Sequence, residues 1–152
     1  MKVNFKIISF TEIEYEGTEL DLHNNFDFIA KDTEISETQI KLHFRKSKGS
    51  WAVNAKHENL YFTVDNYSFL KQIGPKAEFA ADDFCLSGIT FFDSNFREED
   101  YGLMERAIPN EGDDIIFSFE SDRVIRVNCE AITLNVEKSQ VSPREGLQRK
   151  AR

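Results

Sequence analysis

His23 is the residue best placed by type to do chemistry. It sits in Asp21-Leu22-His23-Asn24-Asn25, and an imidazole that titrates near neutrality can move protons in either direction. With a divalent ion held by Asp21 and the carboxylates of 93–100, such a histidine could activate water, which defines a metal-assisted hydrolase. The same residues also make an ordinary polar loop between two strands. His43 alternates outward on a predicted strand and reads as a surface residue, and His57 lies in a predicted turn. These three histidines lack ligand spacing, and Cys85 and Cys129 stand 44 positions apart, so no zinc motif is written. Cys85 follows Asp82-Asp83-Phe84, whose negative charge disfavours a thiolate, and both cysteines read as free, buried thiols.

Asp93, Asn95, Glu98, Glu99 and Asp100 are rich in oxygen but lack the central glycine and terminal glutamate of a calcium loop. Solvated charge at a helix start accounts for them equally well. The chain has no nucleophile-elbow, phosphate-loop or dinucleotide fingerprint. The expectation is therefore a protein without catalytic residues, metal or cofactor.

Charge gives a stronger signal. The net charge is −8, yet residues 143–152 carry a local +3, so the remaining 142 residues carry −11. Such a body repels phosphate backbones and anionic lipid, which argues against direct nucleic-acid or membrane binding. The basic cluster Lys41, Arg45, Lys46 and Lys48 lacks interleaved aromatic platforms for single-stranded nucleic acid. Two acidic blocks stand out. Glu12, Glu14, Glu16, Glu19 and Asp21 occur without a lysine or arginine among them, and 93–114 holds eight carboxylates against Arg97 and Arg106. Surfaces of this kind attract basic partners and speed their association. Glu14, Glu16, Glu98, Asp100, Asp113 and Asp114 are the expected partner contacts.

The elements that must position these residues read as strands. Ile13 and Tyr15 alternate with Glu12, Glu14 and Glu16, and Gly17 supplies a turn. Ile40, Leu42 and Phe44 form one strand face, with Trp51 and Val53 beginning the return and Leu60, Phe62 and Val64 repeating the pattern. Residues 66–73 suit either a strand edge or a helical turn. Residues 95–107 are the best helix candidate, and Pro109 ends it. Ile125, Val127 and Cys129 share a parity opposite to that of Ile132, Leu134 and Val136, so a bend near Glu130-Ala131 is needed to bury both sets. The fold class expected is mainly β, an antiparallel β-sandwich or strongly coiled sheet with one short helix, with a small barrel as the neighbouring solution. One domain spans 1–141, followed by a flexible basic tail at 142–152. No 18-residue apolar run or secretory leader is present, which with the free thiols points to the cytoplasm.

The Asp-Asp-Ile-Ile-Phe-Ser-Phe hairpin from Asp113 and the terminal strands Ile125–Val136 resemble those of small acidic β-rich bacterial immunity proteins, which neutralise toxins delivered between cells. The resemblance covers the general pattern of the chain. It implies a cognate basic protein toxin, such as a nuclease, as partner, and no catalytic activity. Two alternatives remain open: the metal-assisted hydrolase, and a non-catalytic β-sandwich ligand-binding module using Trp51, Tyr61, Tyr67 and some of the 14 phenylalanines.

Overall fold

Period-two alternation does most of the building, because each strand can bury one edge of its pleat and leave the other wet. The computed structural model describes residues 1–98 and 106–137. Its strands are β1 (Lys2–Val3), β2 (Lys6–Ile7), β3 (Glu12–Tyr15), β4 (Thr18–Asp21), β5 (Phe26–Phe28), β6 (Glu34–Ile35), β7 (Gln39–Lys46), β8 (Asn59–Ile73), β9 (Leu86–Asp93), β10 (Asp113–Phe119) and β11 (Val124–Glu137). The main sheet runs β5-β7-β8-β11-β10-β9, with β6 beside β7 and β1 lying parallel along β11; its other pairings are antiparallel. A second sheet, β2-β3-β4, has three strands.

The main sheet coils until its ends nearly meet. Phe28 N donates to Phe84 O at 2.8 Å, linking β5 to the approach to β9, and Ile89 N on β9 donates to Phe10 O at 2.7 Å. Edge backbone groups that would otherwise be open to another chain are thereby used internally. The result is a strongly coiled, mainly β fold close to a barrel.

Phenylalanine fills the interior. Phe28 and Phe119 have ring centroids 4.5 Å apart, and the series continues through Phe44, Phe62 and Phe117 at 5.3–5.7 Å between successive neighbours from Phe28 onward. Phe5 joins edge-on to Phe62 at 5.5 Å. Mixed tilted and T-shaped pairs are the geometry aromatic quadrupoles favour. Much of the excess of phenylalanine is thus core packing.

The parity change in β11 is accommodated where expected. Asn66 on β8 adopts φ 51° and donates from Nδ2 to Glu130 at 3.0 Å, while the β8–β11 register shifts between Asn128 and Cys129. Leu60, Phe62 and Val64 face the core before this point, and Tyr67 and Leu70 pack against it afterwards. Val127, Cys129, Ile132 and Leu134 are all buried as a result. Residues 66–73 simply continue β8.

Two local expectations differ from the structure. Trp51 and Val53 do not start the return strand: Ser50–Ala52 is a 3-10 turn, and both side chains are 68% exposed. The helix expected over 95–107 is represented by a 3-10 turn at Ser94–Phe96, while 99–105 lie outside the described residues, as does the tail 142–152. Among the described residues no helix is long and apolar enough to cross a membrane.

Candidate functional site

The three-stranded sheet concentrates negative charge. Ile7, Ile13 and Leu20 lie in register across β2, β3 and β4 and are buried, so the opposite parity must face outward. On that face Glu12 pairs with Asp21 and Glu14 pairs with Glu19. Like charges directly opposite each other across a ladder repel. Lys6 on β2 is Glu14's other cross-strand neighbour. Ser9 donates to Glu12 at 3.1 Å, and Asp21 accepts from the His23 and Asn24 backbone N–H groups, so those two carboxylates also serve the turns. Glu14 and Glu19 carry the charge that local turn geometry does not explain.

Glu16 extends this face at the β3–β4 turn, where it adopts φ 48° beside Gly17 at φ 79°. Glu14 and Glu16 line a shallow cleft of about 330 Å³ together with Lys6, Phe5 and Ile108. Ile108 is 59% exposed. An apolar side chain beside two carboxylates suits a partner segment that pairs a cation with an apolar anchor.

The other expected contacts fall elsewhere. Glu98 is exposed beyond the Ser94–Phe96 turn, and Asp100 lies outside the described residues. Asp113 and Asp114 require correction, because both are buried rather than displayed. Asp114 accepts Arg97 Nε and Nη2 at 2.9 Å each, Arg126 Nε at 2.7 Å and Asn128 Nδ2 at 2.9 Å. Arg126 is itself fully buried and also donates to the carbonyls of Asp93 and Phe96. Burial pushes the Asp114 carboxyl up, but the bonds from Arg97, Arg126 and Asn128 outweigh it and hold the group below its ordinary range. Asp113 is bound by Arg106 and by the Asn110 N–H. A hydrophobic run following two aspartates gives no sign that arginines 12 to 17 positions away will enclose one of them.

A second cleft, of about 550 Å³, is lined by Lys31, Asp32, Glu34, Lys41, His43, Tyr61 and Glu137 among others. His43 has the outward parity expected of it but is covered. Its ring stacks on Tyr61 at 4.6 Å between centroids, Nδ1 meets Asp32 Oδ2 at 2.8 Å, and Nε2 meets Asn59 Oδ1 at 2.7 Å. Both nitrogens are engaged within the chain, an arrangement that fixes the ring. Burial, then the nearby carboxylates of Glu137 and Asp32, raise the Tyr61 phenol, which keeps it a neutral hydrogen-bonding group near neutral pH.

The aromatic trio considered for ligand binding is not gathered. Tyr61 and Tyr67 lie six positions apart on β8, roughly 20 Å along a strand. Tyr67 donates its hydroxyl to Ser36 O, and Trp51 Nε1 donates to Asn24 O at 2.6 Å.

Nor does His23 meet Asp93, the first of the carboxylates expected beside it; Glu99 and Asp100 lie outside the described residues. His23 Nδ1 lies 2.7 Å from Leu86 O, at the start of β9, whereas Asp93 ends that strand roughly 23 Å away and accepts Asn95 N as a turn cap. His23 instead meets Cys85 Sγ at 3.3 Å from Nδ1, with Glu120 alongside. Cys85 is half-buried, not a core residue. Burial, followed by the charges of Glu120, Asp27 and Asp82, pushes its thiol up, so it lacks the profile of an activated nucleophile. Separations of 62 and 97 positions hide this trio from any spacing rule; only the sheet order brings it together. No protein-family model matches the chain, and neither the curated proteins nor the solved structures contain a match to it.

Proposed function

We propose that the chain is a non-catalytic binding protein of the bacterial immunity type, whose acidic three-stranded face docks a cognate basic protein toxin. The observation that carries this reading is the opposition of Glu14 to Glu19, flanked by Glu12 opposite Asp21, on the wet side of a sheet whose other side is core. A fold gains nothing in stability from placing like charges across a ladder. Lys6 offsets Glu14 from the β2 side, and a basic partner relieves the repulsion left at Glu19, so the arrangement favours the complex over the free protein. Glu16 and the adjoining Ile108 cleft supply the geometry for an anchored contact. Glu98 forms a further exposed point of negative charge, and Asp113 and Asp114 act as internal ties for the hairpin that carries them.

Two free thiols, Cys85 and Cys129, suit a reducing cytoplasm. The aromatic interior and the internally bonded His43 are in keeping with a scaffold that binds rather than turns over a substrate.

The test is a paired capture from source-cell extract supplied with candidate toxins, using wild type and an E14Q/E16Q/E19Q variant as bait. A basic protein retained by wild type and lost by the variant supports the proposal. Recovery of the same proteins on both baits, or of no basic protein, overturns it.

A further inference from the structure

We propose that His23, Cys85 and Glu120 form a binding site for a borderline-soft divalent cation, with zinc(II) the best match. Their ligand atoms lie within 4.8 Å of one another. The set offers one imidazole nitrogen, one sulfur and one carboxylate oxygen, the three donor types zinc accepts, and three protein ligands leave a fourth position open. Cys85 Sγ and His23 Nδ1 are 3.3 Å apart. Zinc–sulfur and zinc–nitrogen bonds of about 2.3 and 2.05 Å at a tetrahedral angle put these atoms about 3.6 Å apart, within a few tenths of an ångström of the separation in the structure.

The backbone already holds the three segments together. Glu120 N donates to Cys85 O at 2.8 Å, tying the end of β10 to the approach to β9. His23 is placed from the other side by its own N–H on Asp21 Oδ1 at 3.1 Å, and its Nδ1 gives up the bond to Leu86 O, 2.7 Å away, when it takes the ion. Cys85 and His23 are half-buried while Glu120 is exposed, which gives an ion a protected seat and an entry path. Asp27 and Asp82 add negative potential around the thiol. Thiolate and carboxylate together neutralise a dipositive ion.

Binding balances with the loss of one proton. The thiol releases its proton to solvent as the sulfur–metal bond forms; the Nδ1–H bond to Leu86 O breaks, the imidazole stays neutral as solvent carries its proton from Nδ1 to Nε2, and the ring turns the freed Nδ1 lone pair to the ion. A cation seated there clips the β4–β5 turn to the ends of β9 and β10, so it stabilises the fold in proportion to its occupancy. None of the three ligands belongs to the acidic face, although Asp21 links His23 to it, and the site does not depend on the partner reading.

The test uses the full chain, reduced and stripped of metal, titrated with cobalt(II) and then zinc(II). The expected result is one equivalent of cobalt with a thiolate-to-metal charge-transfer band, displaced by zinc, and a melting temperature that rises with zinc. E120Q, at an exposed position, weakens binding at least tenfold without loss of fold, C85S abolishes the band, and C129S retains it. No thiolate band in the wild-type protein, or a band that survives C85S, overturns the proposal.

Discussion

Glu14 on β3 stands directly across from Glu19 on β4, on the solvent side of a sheet whose inner side is Ile13 against Leu20. Glu19 belongs to the outermost strand of the β2-β3-β4 sheet, so its cross-strand neighbour within that sheet is Glu14. E19Q therefore raises stability by about 0.2–1 kcal/mol in low salt, and the gain shrinks as salt screens the repulsion. Urea denaturation at two ionic strengths measures this. A destabilised E19Q would show that Glu19 is held by attraction within the fold.

Asp114 should be far less tolerant. Replacing it by Ala leaves the guanidinium of Arg126, fully buried, without its carboxylate. Removing one partner of a buried ion pair costs about 3–5 kcal/mol. Denaturant unfolding of D114A gives the number, and a loss under 1 kcal/mol would mean that the carbonyls of Asp93 and Phe96 suffice to hold the arginine.

Acid should weaken the fold through two carboxylates. Arg123, aided by Ser121, holds Asp83 below its ordinary range, and Asp114 is lowered by its arginines and Asn128 against the effect of burial. A depressed folded-state pKa contributes stability that is complete above the unfolded value, near pH 4, and is lost as pH falls through the folded value. Stability should decline below about pH 4, with a shallower decline in D83N than in wild type. Identical acid slopes for the two proteins contradict the assignment of Asp83.

Phe62 touches the rings of Phe5, Phe44 and Phe117 and is fully buried. F62A opens a cavity at the centre of this series and should cost about 3–5 kcal/mol. Equilibrium unfolding checks it, and a cost below about 1.5 kcal/mol would mean that the neighbouring rings collapse into the space.

Much of this architecture was legible in the residues. Alternation marked β3, β7 and the first half of β8, and the parity conflict between Cys129 and Ile132 required a bend that Asn66 and Glu130 supply. Charge at Glu14 and Glu16 was equally plain, because exposed alternating positions keep their pattern whatever they pack against. Asp113 and Asp114 misled because a local pattern does not reveal which distant side chains close over a hairpin. His43 misled for the same reason, since its parity is outward but Tyr61 and Asp32 cover it. The gathering of His23, Cys85 and Glu120 depends on strand order, which alternation alone does not encode.

The most direct measurement of the central claim is the association rate of the recovered basic partner with wild type and with E14Q/E19Q across a range of salt. Electrostatic docking on the β3–β4 face predicts a wild-type rate that falls steeply with ionic strength, a variant at least tenfold slower in low salt, and convergence of the two at high salt. Equal rates and equal salt dependence for both proteins would contradict it.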